Sequence, residues 1–292
     1  MINPRNAPSL PLSSRWPERM ATVIIWAMAL LVTAFFAWLF IDLIWRSLDR
    51  ISWSFLTDLP QNAGREGGIS SILVSTGLIL LVCLAVAVPI SVGAAIFLAE
   101  FTRADNPFGR LVGRSLDVLA GVPSIVFGLF GNAFFCIYLG MGFSILSGGL
   151  TLACMVLPLL IRATEEGFRS VPLEYRLGAA ALGMSRMSTL WHLLLPTATP
   201  GLVVGLILGI GRAMAETAAL IFTSGYVDRM PSSLHDSGRA LSLHIYDLTM
   251  NVPGGTSTAY ASAFVLITLL VLINGTANWL THRWLQRKVI LP

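Results

Sequence analysis

The sequence predicts an all-α membrane protein, a bundle of six spanning helices. Three observations carry that prediction. First, the 292 residues are 55% hydrophobic and only 12% charged, with a mean hydropathy of +0.76, where soluble domains hold about 25% charged residues. Second, long stretches hold no Asp, Glu, Lys or Arg at all, notably 67–99 and 118–161. Lipid offers the backbone no hydrogen bonds, so such stretches read as spanning helices. Third, the arginines fall between the apolar runs, and mostly on alternate sides.

The elements follow in order. Residues 1–19, rich in Pro, Ser and Asn, read as a disordered cytoplasmic start. Arg15 and Arg19 precede an apolar stretch that is too long for a signal core, and Asp42, Trp45 and Arg46 follow it where a cleavage site would stand. This is a retained first span, 20–44. The second is 72–98. The third and fourth, 119–140 and 143–163, share one uncharged stretch, with a tight turn at Gly140 and Gly142. The fifth is 200–224 and the sixth 258–281, which places the spanning domain at 20–284 and a cytoplasmic tail at 285–292. Trp45, Trp279 and Trp284 fall near span ends, where indole rings favour the interface. With the N-terminus inside, the inner segments hold Arg5, Arg15, Arg19, Arg103, Arg110, Arg114, Arg162, Arg169, Arg176, Arg186, Arg283, Arg287 and Lys288. The outer ones hold only Arg46, Arg50, Arg65, Arg229 and Arg239. The bias predicts that both termini are cytoplasmic. Two connections are long, an inner loop at 162–199 and an outer loop at 225–257.

Several function classes drop out. The net charge of +4 is spread between spans rather than gathered on a soluble basic face, so no nucleic-acid partner is expected. Cys83, Cys136 and Cys154 lie inside apolar segments, as buried fillers and not as a disulfide framework or metal site. His192 in the inner loop, and His235 and His244 in the outer one, have no partners at metal-ligand spacing and are expected at the surface. A nucleotide-binding loop needs a glycine-rich turn ending in Gly-Lys-Ser or Gly-Lys-Thr. The only lysine, Lys288, has no such loop before it. The chain is therefore expected to have no catalytic residues, no bound cofactor and no metal.

The inner loop reads as a knob. Pro172 suits the first turn of a helix, Glu174 sits near the positive end of its dipole, and Gly183 suits a left-handed stop. Ser185 is placed to cap a second helix, with Pro196 and Pro200 marking the return to the membrane. Ala179, Ala180 and Ala181 leave a small-residue surface open to a partner. An interfacial helix lying among headgroups is the alternative.

The fifth span carries a charged pair. Gly201, Gly205 and Gly209 form a small-residue seam, and Arg212 and Glu216 are expected on the same narrow face, four residues apart and able to pair. Charges at bilayer depth cost roughly 2.5–3.5 kcal/mol or more. The pair reads either as a structural salt bridge or as a gate and anion contact. Thr217 follows it. Ser124, after Gly121-Val122-Pro123, reads as a pathway residue or as a hydroxyl satisfying backbone freed by the kink. Asp117 is expected to pair with Arg114.

Two sets of motifs resemble known families. Gly183, nine residues, then Leu193-Leu194-Leu195-Pro196 resembles the EAA loop of ABC importer permeases; Ala179, Gly183, Leu195 and Pro196 match, while Leu177 and Gly178 replace Glu and Ala. Glu174, one turn earlier, partly makes up for the missing Glu. The run from Leu119 to Gly131, the run from Leu157 to Pro172, Leu98-Ala99-Glu100-Phe101, and Arg212 to Ala219 are similar to the phosphate importer permeases. Ala215 and Ala219 stand where that family has Gly and Pro, which predicts a straighter helix beside the charged pair. Leu146-Ser147-Gly148-Gly149 resembles the ABC ATPase signature, but it lies in a membrane segment and reads as chance.

The resemblance implies the type I importer permease fold and a non-catalytic subunit of the inner membrane that moves inorganic phosphate by alternating access. It further implies two ABC ATPase subunits that use the ATP, a second permease subunit that is a different homologue, and an extracytoplasmic phosphate-binding protein received by 225–257. Glu174, Ala179, Ala180, Gly183, Leu195 and Pro196 would form the ATPase-coupling loop, and Arg212, Glu216, Thr217 and Ser124 the pathway or gate. A permease for sulfate, molybdate or phosphonate, and an ATP-independent secondary transporter, are the alternatives.

Overall fold

A computed structural model describes residues 15–102 and 106–289. The chain separates into two units, divided after Arg46. The described part of the first is helix α1 (Arg15–Ser47), apolar all round as a lipid-facing span is, with an Arg46–Asp42 ion pair at 2.9 Å in its last turn. Arg15 to Arg19, expected to be irregular, are helical, and the rest of the expected irregular start lies outside the described residues.

The second unit opens with α2 (Trp53–Thr57), capped by Ser52, whose hydroxyl accepts the Phe55 N–H at 3.1 Å. A two-residue hairpin follows, β1 (Pro60–Gln61) antiparallel to β2 (Glu66–Gly67), with Pro60 opposite Gly67. Its turn holds three residues at positive φ: Asn62 at 50°, Ala63 at 58° and Gly64 at 85°. Then come α3 (Ser70–Ile96), extended by a π-helical turn to Phe101, α4 (Pro107–Ala120), and α5 (Ser124–Gly131), extended likewise to Tyr138. After these stand α6 (Ile145–Arg169), α7 (Leu173–Ala181), α8 (Arg186–Thr189), α9 (Leu195–Ala215), α10 (Ala218–Ile221), α11 (Leu241–Met250) and α12 (Thr256–Val289).

Five stretches among the described residues are long and apolar enough to cross a membrane: Arg19–Ser47, Ser70–Phe101, Ile145–Arg169, Arg186–Ala215 and Thr256–Trp279. A sixth crossing needs the bent pair Pro107–Ala120 and Ser124–Tyr138, which meet at 99°. The third span is therefore not the continuous 119–140 helix that the uncharged stretch suggests. Pro123, extended at ψ 139°, stops the helical path, and α5 starts afresh at Ser124. α4 keeps a polar face of Arg110, Arg114 and Asp117, while Phe108, Leu111 and Leu119 stay exposed beside it. In the other direction, Pro196 and Pro200 do not interrupt the fifth span, since α8 runs on through a π-helical turn into α9.

The bundle is built round α6. In α6, 67% of the apolar window is buried, against 33% or less in the other spans. Its partners are α3 on one side and α9 on the other, with Leu152, Val156 and Leu160 in the shared core. Close approach depends on missing side chains. A Cβ on Gly149 would stand 2.6 Å from Val82, and one on Gly167 would stand 2.9 Å from the Gly201 Cα. The seam on α9 is Gly201, Gly205 and Gly209 against Gly167, Ala163 and Leu160, and Ala213 continues it. Arg212 does not lie on this face. Residues four apart drift slowly round a helix, so the seam reaches position 213, and Arg212 joins the exposed line of Val204, Leu208 and Ala215.

The connection between the fifth and sixth spans is folded into the bundle rather than laid over it. Leu241 and Leu243 are fully buried, and the Thr76 hydroxyl accepts the Leu241 N–H at 2.9 Å. His244 is buried as well, against the expectation of a surface residue, because α11 turns that face inward under the β1–β2 turn. Gly64 lies so close that a Cβ there would stand 2.5 Å from the imidazole. Arg239 pairs with Asp247 at 3.1 Å, donates to the Tyr226 carbonyl at 2.8 Å and lies 3.5 Å from His244 Nδ1. Burial, reinforced by Arg239 and opposed by Asp247, pushes the His244 pKa down to about 4.

Two outcomes follow from this packing. Gly201→Ala should lower the thermal midpoint of the purified protein, since overpacking costs about 1–3 kcal/mol. Gly211→Ala should hold or raise it, because a Cβ there meets nothing within 4 Å. Equal midpoints would refute the close crossing. Acid should also destabilise the packing around His244. An unfolded histidine takes its proton near pH 6.5 and His244 only near 4. Between those values the unfolded chain holds a proton that the folded chain lacks, so stability falls as pH drops through the window, by up to about 3 kcal/mol. Thermal midpoints across that range should fall less steeply in His244→Gln, and parallel curves would refute the assignment.

Candidate functional site

At its C-terminal end, α6 stops at Arg169 and the chain turns through Ser170, Val171 and Pro172 into α7. Glu174 stands in the first turn, as its place near the helix dipole favours. Gly183 has φ +71°, and the N–H groups of Gly183 and Met184 reach the Ala180 and Ala179 carbonyls at 3.0 Å each. This is the left-handed stop that glycine makes at low cost. Ser185 caps α8, its hydroxyl accepting the Ser188 N–H at 3.2 Å.

α7 presents Leu173, Glu174, Tyr175, Leu177, Ala180 and Leu182 outward. Leu182 is 81% exposed and Leu177 61%. Ala179 is not part of this surface. It is buried on the side of α7 facing the protein, so the open small-residue patch is Ala180 and Ala181. Leu195 and Pro196 are half-buried in the long helix behind the knob, and Leu195 packs on a core of Phe168, Leu190 and Leu194.

Charges that sequence spacing did not reveal fix this knob. Arg176 pairs with Glu100 at 2.6 Å and donates to the Val171 and Phe168 carbonyls at 2.7 and 2.9 Å. The partners are 76 residues apart. Glu100 stood inside the motif at the end of the second span, which was the one available signal. Asp117 is also differently engaged from the expected Arg114 pair. It takes Arg162 at 2.8 Å, because α4 packs against the part of α6 that carries Arg162. Arg162 donates to the Gly113 carbonyl at 2.7 Å and bonds Glu165 at 3.2 Å, while Arg169 holds Glu165 at 2.8 Å.

Toward its C-terminal end, the fifth span breaks. α9 ends at Ala215, and Glu216 is extended at φ −75°, ψ 127°. The expected straightening by Ala215 and Ala219 does not occur, because tertiary and capping bonds hold the break. The Ala219 N–H donates to Glu216 Oε1 at 3.2 Å, and the Ser242 hydroxyl of α11 donates to the Glu216 carbonyl at 2.6 Å. The Arg212–Glu216 pair is consequently not formed. Its i,i+4 geometry requires an unbroken helix, and the carboxylate is used as a cap. Arg212 is exposed and has no ion pair or hydrogen bond among the described residues.

Thr217 precedes α10, which packs on α5 where Gly128 meets Ala219; a Cβ at Gly128 would be 2.8 Å from the Ala219 Cα. Ser124 lies one turn before Gly128. Neither the Ser124 nor the Thr217 hydroxyl makes a hydrogen bond among the described residues, so Ser124 does not satisfy freed backbone. The broken span thus leaves two groups with spare hydrogen-bonding capacity, the Arg212 guanidinium and the Thr217 hydroxyl, and α5 adds the Ser124 hydroxyl. No group of three or more His, Cys, Asp or Glu side chains among the described residues is arranged to hold a metal.

Residues 87–286 match the family described as binding-protein-dependent transport system inner membrane component. Among curated proteins, the chain is 30% identical over 278 residues to a probable ABC transporter permease protein, YqgI, of Bacillus subtilis, covering 90% of this chain and 94% of the relative. It is 32% identical over 252 residues to the phosphate transport system permease protein PstA 2 of Mycobacterium bovis, covering 84% and 82%. Among solved structures, a bacterial ABC transporter involved in alginate import superposes with a TM-score of 0.63 at 14% identity, over 92% of this chain and 98% of that one. The MetNI methionine ABC transporter superposes at 0.56 and 17% identity, over 74% and 94%.

Proposed function

Because the chain belongs to the family of binding-protein-dependent transport system inner membrane components, we propose that its substrate is inorganic phosphate and that Arg212 is its contact in the pathway. The protein is a type I ABC importer permease, a non-catalytic, multi-pass subunit of the inner membrane. Members of the family work with ATPase subunits, a binding protein and a second permease.

The observation that carries the proposal is the free guanidinium of Arg212 one turn before the break at Glu216. Irregular backbone at membrane depth is tolerated where it is buried or lines a cavity. An always-charged planar fork of donors suits a tetrahedral oxyanion and lowers its electrostatic barrier in a low-dielectric path. Thr217 and Ser124 add neutral hydroxyls, which can bind without trapping the ion. Glu216, held by its capping bond, keeps its charge off Arg212. The names of relatives such as the mycobacterial PstA proteins support phosphate as the anion, and so do the motifs around 119–131 and 212–219.

The rest of the reading concerns energy and partners. ATP is bound and hydrolysed by the partner ATPase, which receives α7 with Glu174, Ala180 and the exposed Leu177 and Leu182, while Ala179, Leu195 and Pro196 support the knob from behind. Gly183 allows the chain to turn back so sharply. The second permease is a different homologue, a reading supported by the 31% identity to a mycobacterial PstC over 271 residues as well as to PstA proteins. A phosphate-binding protein delivers the ion at the exposed part of 225–257. The orientation has α7 and both termini in the cytoplasm, as the arginine bias favours.

Arg212→Ala should abolish radiolabelled phosphate uptake in proteoliposomes while the complex still co-purifies. The exchange Arg212→Glu with Glu216→Arg should not restore it, since the two side chains do not pair. Full uptake by Arg212→Ala would remove the residue from the mechanism, and preferential uptake of sulfate by the wild type would overturn the substrate. For the knob, Gly183→Val forces a β-branched residue to φ +71° and should uncouple ATP hydrolysis from uptake with membrane insertion intact. A cysteine at position 182 should react with impermeant thiol reagents only from the cytoplasmic side. Normal coupling would sink the docking assignment, and labelling from outside would invert the topology.

A further inference from the structure

A second charged basin lies between α4 and α6, apart from Arg212. It is a cavity of about 240 Å³ lined by Arg110, Arg114, Asp117, Arg162, Glu165 and Arg169, together with small and apolar residues. Its four arginines face two carboxylates. Both carboxylates are committed to the α6 arginines: Asp117 to Arg162, and Glu165 to Arg162 and Arg169. Arg110 and Arg114 are exposed, and neither side chain has an ion pair or hydrogen bond among the described residues. Among the described residues the basin therefore holds two positive charges with no carboxylate partner, four residues apart on one helix face.

We propose that this basin binds a phosphate group and that the group belongs to the headgroup of an anionic phospholipid. α4 favours the lipid source over a free ion. It meets the following span at 99°, as a helix running along the membrane interface would. Phe108 and Leu111 are exposed beside Arg110, and Leu119 is exposed at the far end, giving apolar surface for acyl chains next to the charges. Arginines at this depth attract anionic lipid, and the guanidinium fork can bond two phosphate oxygens at once. The Arg162 and Arg169 side chains, locked by their carboxylates, form the rigid wall behind. The proposal rests on the chain being a membrane permease and not on the identity of its substrate.

The test uses the assembled complex purified in mild detergent. Native mass spectrometry would count retained phosphatidylglycerol and phosphatidylcholine, and equilibrium dialysis would measure radiolabelled inorganic phosphate. The wild type should retain phosphatidylglycerol in preference to phosphatidylcholine. The double variant Arg110→Gln with Arg114→Gln should lose that retention by roughly thirtyfold, and each single variant by about fivefold. The single variants decide the matter if the double variant fails to assemble. Unchanged retention in the variants, or equal retention of phosphatidylcholine, overturns the site. Inorganic phosphate binding that the variants lose, with no lipid retained, overturns the lipid source. Intact lipid retention in Arg212→Ala separates this basin from the pathway.

Discussion

The Gly167–Gly201 crossing holds the second unit together. With no side chain on either residue, the backbones of α6 and α9 meet directly, and Ala163 and Leu160 extend the contact along Gly205 and Gly209. Lipid tails are as apolar as leucine, so burial alone does not draw helices together in a membrane, and close packing has to supply the attraction. α6 is fixed on its other side by α3, where Gly149 sits against Val82. Everything else is placed relative to this three-helix sheaf. The knob hangs from the C-terminal end of α6 and the break lies at the C-terminal end of α9. Between α7 and Arg212 there is consequently an unbroken series of contacts: Arg176 to the end of α6, the glycine crossing, and then α9 itself.

The two ends of the bundle solve the same electrostatic problem differently. At the end that carries α7, Arg110 and Arg114 have no side-chain partner among the described residues, whereas Arg162, Arg169 and Arg176 each take a carboxylate and a backbone carbonyl. Such bonds are stronger than neutral ones and set orientation as well as energy. At the opposite end one cluster of ionisable groups is buried among others that stay at the surface. Arg239 and Asp247 pair under the hairpin turn, and His244 beside them is held neutral. Near the break, Arg212 follows neither pattern. A guanidinium without a partner, exposed on an otherwise apolar helix face, is costly in a membrane unless water, an anion or another subunit meets it. That cost is the physical ground for proposing it as a contact in the transport path.

The break at Glu216 is also a matter of satisfied backbone. A span that stops helping itself to intrahelical bonds must find others. Here the Glu216 carboxylate caps α10 and the Ser242 hydroxyl supplies its carbonyl with a donor. α11 is what delivers Ser242, and α11 is in turn anchored by the Thr76 hydroxyl. A segment that looks like a surface loop is thereby part of the apparatus that keeps the fifth span broken.

Much of this protein was legible in its sequence. Runs without charge fix the helical class, because only an internally bonded backbone survives in lipid. Gly183, Glu174 and Ser185 declared the knob, because helix stops and caps are local chemistry. The glycine seam on the fifth span was visible in its spacing. What the sequence left undecided were the partners of each charge and the continuity of each span. Asp117 with Arg162 and Glu100 with Arg176 join residues far apart in the chain, and helical spacing says nothing about them. The bend at Pro123, the break after Ala215 and the burial of His244 depend on which neighbour offers a hydrogen bond or a space. Local propensity was read correctly at the knob and wrongly at Glu216 for the same reason: a helix end is written in adjacent residues, whereas a broken span is held by a hydroxyl 26 residues away.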